Sequence, residues 1–160
     1  MKTVYLALGS NVGDRVHNLH SALNLLAAPE LRIIRTSGIY ETEPVGFTSQ
    51  RWFLNMALEA ETGLFPMQLL WRIGKIERQL GRIRTMANGP RTIDIDILLY
   101  GKAVVHSAAL EIPHPRMASR RFVLAPLAEL VGELRHPVTH RTIREMLDAA
   151  PPQSMHLLHS

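Results

Sequence analysis

Two aspartates placed two residues apart are the side chains of this sequence best suited to chemistry. Asp94 and Asp96 alternate with isoleucines over residues 93–97, directly after a Gly-Pro-Arg turn. Successive side chains of a strand point to opposite faces, so both carboxylates share one face and the isoleucines share the other. Such a pair suits Mg2+, a hard cation usually held by one or two carboxylates together with substrate phosphates. A solvated strand face is the alternative interpretation.

Basic residues around the aspartates favour the chemical interpretation. A positive cluster opposite two carboxylates is compatible with simple ion pairing, but metal ions and arginines together are also how proteins hold a polyphosphate in phosphoryl transfer. The combination therefore favours an enzyme that acts on a nucleotide. The residues concerned are Arg72, Lys75, Arg78, Arg82, Arg84 and Arg91.

Length and composition limit the other possibilities. The 160 residues, 46% of them hydrophobic, predict one globular domain over residues 1–160. The absence of cysteine excludes disulfides, thiolate zinc sites and a catalytic thiol. Apolar runs are too short to span a membrane and the N-terminus lacks a signal-peptide cleavage site, so we expect a cytoplasmic protein. The net charge of +4 suits an anionic ligand without requiring nucleic acid.

The apolar periodicity predicts the elements that position these residues. Their order is strand, helix, strand, strand, helix, strand, which is the ferredoxin-like βαββαβ arrangement of an α+β protein with C-terminal additions. Asp14 is the predicted N-cap of the first helix, and Pro66 lies in the first turn of the second. The predicted core strands cover residues 4–8, 31–40, 53–61 and the Asp94 segment, followed by an extended stretch at 103–105 and helices at 126–131 and 142–149.

Other features are open to structural or functional interpretation. The Gly9-x-x-x-Gly13 turn lacks the Gly-Lys-Ser/Thr of a phosphate-binding loop, which favours a structural turn. His136 and His140 are separated by a proline, so a helical zinc pair is not predicted. Phe53 and Asn55 present an aromatic ring and an amide on one strand face, a combination that suits a flat heterocycle.

The chain closely resembles the 6-hydroxymethyl-7,8-dihydropterin pyrophosphokinases, a family of the folate pathway. The resemblance rests on six ordered motifs and extends over nearly the whole chain. The motifs are Leu8-Gly9-Ser10-Asn11 with Gly13-Asp14, Tyr40-x-Thr42-x-Pro44-x-Gly46, Phe53-Leu54-Asn55, Ile76-Glu77 with Gly81-Arg82, Gly89-Pro90-Arg91-x-x-Asp94-x-Asp96, and Ile112-Pro113-His114-Pro115-Arg116 with Arg120-x-Phe122.

The resemblance implies a ferredoxin-like fold and transfer of the β,γ-diphosphate of ATP to the pterin hydroxymethyl group, with release of AMP. It implies two Mg2+ ions on Asp94 and Asp96, and a monomer acting on small molecules without nucleic acid or membrane. The implied nucleotide contacts are Glu77, Arg82, Arg84, Arg91, His114 and Arg120, of which Arg82, Arg84 and Arg91 are catalytic. The implied pterin contacts are Thr42, Glu43, Val45, Phe53, Asn55 and Phe122.

Four positions depart from the family pattern. Ala87 and Asn88 replace a basic and an aromatic residue, while Ala109 and Pro115 make the adenine and ribose contacts least secure.

Two other functions are alternatives. An RNA-binding module would require exposed sheet aromatics, whereas aromatic residues make up 6% of this chain. A two-metal nucleotidyl transferase would use the same carboxylate pair.

Residues 43–50 and 82–89 are predicted to be mobile lids.

Overall fold

The computed structural model describes residues 1–82 and 89–159, with the side chain of His159 outside the description. The strands are β1 (Lys2–Ser10), β2 (Leu31–Thr36), β3 (Ile39–Thr42), β4 (Phe53–Thr62), β5 (Asp94–Tyr100), β6 (Val105–His106), β7 (Glu111–Ile112) and β8 (Met155–His159). The helices are α1 (Arg15–Leu26), α2 (Pro66–Gln79), α3 (Arg121–Val131) and α4 (Ile143–Ala149), with a 3-10 turn at Met117–Ser119.

The main sheet has the strand order of the predicted fold. It runs β5-β1-β4-β3-β8, with β2 also paired to β4, and all its pairings are antiparallel. Helices α1 and α2 connect β1 to β2 and β4 to β5, which reproduces the βαββαβ core. The predicted ferredoxin-like α+β class is confirmed.

Helices cover both faces of the sheet, because β1 and β5 carry apolar side chains on both sides. One core packs Val4, Leu6 and Leu8 against α1 and α2, and includes Ile93, Ile95 and Ile97. The other packs Tyr5, Leu98 and Leu99 against α3 and α4. The C-terminal helices therefore bury the face that the βαββαβ core leaves open.

The predicted starts of the first two helices are correct. The carboxylate of Asp14 accepts a hydrogen bond from the His17 N–H at 3.0 Å and caps α1. Pro66 begins α2, where its missing N–H costs no helical hydrogen bond. Gly81 follows α2 with φ of 81°, a left-handed conformation that turns the chain back toward the sheet at Arg82.

Four predicted boundaries were wrong. The single strand over residues 31–40 is two strands, and Thr42 belongs to the second instead of to the following loop. The extended stretch at 103–105 is displaced to Val105–His106. Helix α3 begins at Arg121, so Pro126 lies inside it. Strand β8 was not predicted at all.

Among the described residues, no helix has the length and apolar character needed to cross a membrane.

Candidate functional site

The two aspartates lie on the outermost strand of the sheet. Asp94 pairs with Gly9 of β1 and Asp96 with Ala7, so the neighbouring strand offers only small residues beside the carboxylates. Ile95 between them and Ile93 and Ile97 on either side are buried in the core. The alternation predicted from the sequence therefore anchors the strand by one face and leaves the carboxylate face partly accessible.

An ion-pair network joins the end of α2 to the start of β5. One Nη of Arg82 lies 2.5 Å from Glu77 Oε2 and 2.8 Å from Asp94 Oδ1. Arg91 approaches the other oxygen of Asp94 at 3.5 Å. Glu77 also accepts a hydrogen bond from the Ile95 N–H at 2.9 Å, which fixes the helix against the strand. The network holds two arginines beside the carboxylates.

The acidic groups are incompletely neutralised by this network. The pKa of Asp96 is raised to about 7, chiefly by burial and also by the negative charges of Asp94 and Glu77, against the opposing effect of Arg120 and Arg82. Burial also raises the pKa of Glu77 above its usual value. Additional positive charge placed at these carboxylates would therefore be favourable.

His114 and Arg120 come from the segment that leads into α3. The pKa of His114 is lowered to about 4, chiefly by burial and also by the neighbouring Arg120 and Arg116, against the opposing effect of Asp94. The imidazole is therefore neutral at pH 7 and offers a hydrogen-bond donor instead of a full charge. Burial also lowers the pKa of Arg120, whose guanidinium lies 5.5 Å from the centre of the Phe122 ring.

These groups line a cavity of about 790 Å3 beside the outermost strand. Its wall combines carboxylates with a larger number of cationic groups, which is suitable for a polyphosphate accompanied by metal ions. Trp71, Gly74 and Ala109 form part of the remaining wall. The lining residues that the sequence assigned to the basic cluster, the carboxylate pair or the nucleotide contacts are Glu77, Arg78, Arg82, Arg91, Asp94, Asp96, His114 and Arg120.

A second, smaller pocket of about 50 Å3 holds the residues predicted to contact a heterocycle. The buried Asn55 donates a hydrogen bond to Thr42 Oγ1 at 2.7 Å, which orients its amide. Gly9 makes this position possible, since a Cβ there would lie 2.6 Å from Asn55 Oδ1. The lining residues expected from the sequence are Thr42, Glu43, Val45, Phe53, Asn55 and Phe122.

The two cavities share three lining residues, Arg91, Asp94 and Arg120. A ligand in the small pocket would thus meet a ligand in the large cavity at two cations and a carboxylate. The structure therefore places the small pocket, with its aromatic rings and amide, next to the large cavity with its arginines and carboxylates, and the two share polar groups at their junction.

The donor set at Asp94 and Asp96 fits a Mg2+ ion brought by its substrate. Among the residues that the structure describes, no group of three or more His, Cys, Asp or Glu side chains could enclose a metal ion. Mg2+ commonly uses one or two carboxylates and completes its coordination with phosphate oxygens and water. Arg82 lies 2.8 Å from one Asp94 oxygen and Arg91 lies 3.5 Å from the other, so the more loosely contacted second oxygen and Asp96 are the better candidates.

Asn11 shapes the site, although the sequence placed it only in a family motif and gave it no role. Its buried side chain donates to Gln50 Oε1 and to the Arg51 carbonyl, at 2.9 and 3.0 Å. Its Oδ1 accepts from the Arg91 N–H at 2.8 Å. One amide thus ties the loop after β3 to the segment before β5. The Ser-Asn pair immediately after an apolar strand was the available signal.

Several earlier expectations concern residues outside the described structure. Arg84, Ala87 and Asn88 lie in the interval between residues 82 and 89, as does most of the second predicted lid. Among the other basic residues, Arg72 does not line the large cavity. It contacts Glu30 and the carbonyl groups at the end of α1 instead.

The fold and the site together define a ferredoxin-like α+β protein with two adjoining cavities that share a polar junction. Residues 5–132 match the family model described as 7,8-dihydro-6-hydroxymethylpterin-pyrophosphokinase. The chain belongs to this family.

Several named proteins are similar to this chain over most of its length. It is 47% identical to a Bacillus subtilis 2-amino-4-hydroxy-6-hydroxymethyldihydropteridine pyrophosphokinase, covering 84% of this chain and 81% of the relative. The Aquifex aeolicus protein of the same name is 43% identical, covering 91% and 90%. The folic acid synthesis protein fol1 of Schizosaccharomyces pombe is 42% identical over 99% of this chain, which spans only 22% of that protein.

A solved structure supports the fold. The wild-type Plasmodium falciparum HPPK-DHPS with STZ-DHP superposes with a TM-score of 0.74 at 19% identity. The match covers 92% of this chain and 43% of that one. The likeness confirms the α+β architecture.

Proposed function

We propose that this chain transfers the diphosphate group of ATP to 6-hydroxymethyl-7,8-dihydropterin, giving AMP and the pterin diphosphate, in folate biosynthesis. Family membership gives the reaction class, since the relatives are named as pyrophosphokinases. The observation that carries the proposal is the junction of the two cavities at Arg91, Asp94 and Arg120. This junction is where the acceptor hydroxyl and the triphosphate would meet.

The large cavity is assigned to ATP. In the transfer, the pterin hydroxymethyl oxygen forms a bond to the β-phosphorus, and the bond from that phosphorus to the α,β-bridging oxygen breaks. Arg82 and Arg91 are held beside Asp94 before any ligand binds, so their positive charge needs no rearrangement to stabilise the charge that develops. In the described part of the chain, the buried Nε–H of Arg82 has no hydrogen-bond acceptor. A phosphate oxygen would supply that acceptor.

The remaining nucleotide contacts have distinct proposed roles. The neutral imidazole of His114 donates to a phosphate oxygen, and Arg120 contributes charge at the junction. Glu77 acts through Arg82, which it orients by the 2.5 Å contact. Arg84 remains a proposed catalytic cation on the strength of the family resemblance.

The small pocket is assigned to the pterin. Phe53 and Phe122 offer aromatic surfaces for the ring, and Asn55 offers a donor and an acceptor to its edge. Thr42 fixes the Asn55 amide by the 2.7 Å hydrogen bond. Recognition by an oriented amide gives specificity, because a ligand that lacks the matching groups leaves buried polar atoms unpaired.

Asp94 and Asp96 are the proposed ligands of two Mg2+ ions. When bound, the ions neutralise the triphosphate and orient it. The residues of the chain then provide positioning and electrostatic stabilisation, and no side-chain nucleophile is needed. We further propose that the chain acts as a single-domain monomer in the cytoplasm.

A product assay tests the proposal. The purified chain is incubated with ATP and Mg2+, with and without 6-hydroxymethyl-7,8-dihydropterin, and AMP is quantified by chromatography. We expect AMP in equimolar amount to the pterin consumed, and none when EDTA is present. A nucleotidyl transferase would instead release inorganic pyrophosphate, and this result would refute the proposal.

A further inference from the structure

We infer that residues 150–154, called the strap below, set the separation between two walls of the small pocket. The strap joins α4 to β8 and lies beyond residue 132, where the match to the family model ends. The inference deepens the proposed function, on which it rests for the identity of the ligand.

The first end of the strap is attached to the wall that carries Phe122. Ala150 ends α4 and is buried in the core beneath α3. Arg121 donates to the Ala150 carbonyl at 3.0 Å and to the Pro151 carbonyl at 3.3 Å. Since Arg121 directly precedes Phe122, these bonds fix the strap to the start of α3, where Phe122 enters the pocket.

The second end of the strap is attached to the opposite wall through Glu43. The Glu43 N–H donates to the Ser154 carbonyl at 2.9 Å. The Ser154 N–H donates to Glu43 Oε1 at 2.7 Å, and Gln153 Nε2 donates to the Glu43 carbonyl at 2.6 Å. The strap thus engages the backbone N–H, the backbone carbonyl and the carboxylate of one residue.

Glu43 determines where the chain leaves the sheet on this side. It follows β3 directly, and Val45 lies two residues further along the pocket wall. Since its N–H and carboxylate face the strap, we assign Glu43 the role of a positioning residue. Strand β8 supports the arrangement, because Met155 pairs with Thr42 in register.

The spacer between the two attachment points is Pro151-Pro152. Proline fixes φ near −65°, so two in succession make a stiff connection whose length changes little. The strap also borders a cavity of about 310 Å3 that contacts Glu43, Val45 and Arg120. The distance between the Phe122 and Val45 walls is therefore set by the chain itself before a ligand arrives, which lowers the ordering cost of pterin binding.

The double variant Pro151→Gly/Pro152→Gly tests this role, with Pro29→Gly as the matched control. Pro29 lies in the exposed turn between α1 and β2. Its replacement by glycine also raises the conformational entropy of the unfolded chain, but at a position far from the pocket. Calorimetry on the full chain measures binding of 6-hydroxymethyl-7,8-dihydropterin and, separately, of a non-hydrolysable ATP analogue. We expect the double variant to bind the pterin about tenfold more weakly, which corresponds to about 1.4 kcal/mol of binding free energy. The affinity for the ATP analogue should change less than twofold, and the control should match the unaltered chain for both ligands.

Hydrogen exchange of the unliganded chain provides a readout that does not depend on activity. Exchange in residues 43–46 should accelerate in the double variant and remain unchanged in the control. Glu43→Gln keeps an acceptor oxygen for Ser154 and should leave the exchange of residues 43–46 close to that of the unaltered chain, whereas Glu43→Ala removes this acceptor and should accelerate their exchange.

The two readouts separate the strap from the proposed function. If the unaltered chain does not bind the pterin, the proposed function is wrong, and the exchange comparison then decides the strap alone. Unchanged exchange in residues 43–46, or equal losses of pterin and ATP-analogue affinity in the double variant, would overturn the inference.

Discussion

Replacement of Gly9 by alanine tests the architecture of the pterin pocket with a single methyl group. The backbone φ of Gly9 is outside the left-handed region, so alanine is compatible with the strand itself. Its Cβ, however, would lie 2.6 Å from Asn55 Oδ1 and 3.7 Å from Asn55 Cγ. Because a real Cβ contact is not tolerated at the shorter distance, the Asn55 amide must move.

The cost of that movement follows from the contacts that Asn55 makes. Overpacking a closely packed site costs typically about 1 to 3 kcal/mol. Displacing the amide also weakens its 2.7 Å hydrogen bond to Thr42, a loss of about 1 kcal/mol. We therefore expect a loss of about 2 to 4 kcal/mol in the free energy of unfolding. For a chain of this size the Tm falls by about 2 to 4 °C per kcal/mol.

The assay combines thermal unfolding with calorimetry of pterin and ATP-analogue binding. Pterin affinity should fall at least tenfold, since a misplaced amide leaves ligand polar groups unpaired at about 1 to 3 kcal/mol. Gly63→Ala is the matched control, because its Cβ would make only an ordinary contact of 3.7 Å with Met1. A Gly9→Ala chain with unchanged Tm and unchanged pterin affinity would refute the position of Asn55.

Three further predictions concern the two cavities and the titration of one histidine. Asp94→Ala or Asp96→Ala should reduce Mg2+-dependent turnover at least about a hundredfold with an unchanged circular dichroism spectrum, because each removes a carboxylate from the accessible strand face; near-normal turnover would contradict the metal assignment. Asn55→Ala should weaken pterin binding more than Phe53→Leu, since an unpaired amide contact costs about 1 to 3 kcal/mol and lost stacking about 0.5 to 1.5. Calorimetry giving the reverse order would argue against this pocket. The pKa of His114 is lowered from 6.5 to about 4 chiefly by burial, so its contribution to stability is complete above pH 6.5 and is lost as the pH falls toward 4. Thermal unfolding of His114→Asn should accordingly depend less on pH between 6.5 and 4 than that of the unaltered chain, and identical dependence would show that His114 does not titrate in this way.

The core strands and helices were predictable because their signals are local. Asp14 caps α1 as expected, and the isoleucines of β5 are buried while Asp94 and Asp96 remain partly accessible. A period of two or 3.6 residues and a capping side chain are both properties of a short sequence window. The motif resemblance then joined residues from distant parts of the chain, which periodicity cannot do.

The break between β2 and β3 depends on contacts far away in the sequence. Ser37 donates its N–H to the Ala57 carbonyl and accepts the Ala57 N–H on its hydroxyl. Gly38 donates its N–H to the carboxylate of Glu129 in α3, 91 residues further on. Because these partners are distant in the sequence, a short window of sequence does not reveal the break at Ser37 and Gly38.

The C-terminal elements were the least predictable part of the fold. Pro126 suggested a helix start, yet packing of Val123, Leu124 and Leu127 in the second core extends α3 through the proline. Strand β8 is short and has exposed leucines, so it lacks alternation and depends on pairing with β3. The hydrogen bonds of Gln153 and Ser154 to Glu43 were likewise unpredictable, because they join segments that are distant in the sequence.

Phosphorus NMR of the reaction products tests the central claim most directly. The chain is mixed with ATP, Mg2+ and 6-hydroxymethyl-7,8-dihydropterin, and the product resonances are assigned after ATP is exhausted. Transfer of the diphosphate predicts one resonance of AMP and two coupled resonances of a diphosphate monoester on the pterin, in equal molar amounts. Free pyrophosphate with AMP attached to the pterin, or ADP with a pterin monophosphate, would contradict the account.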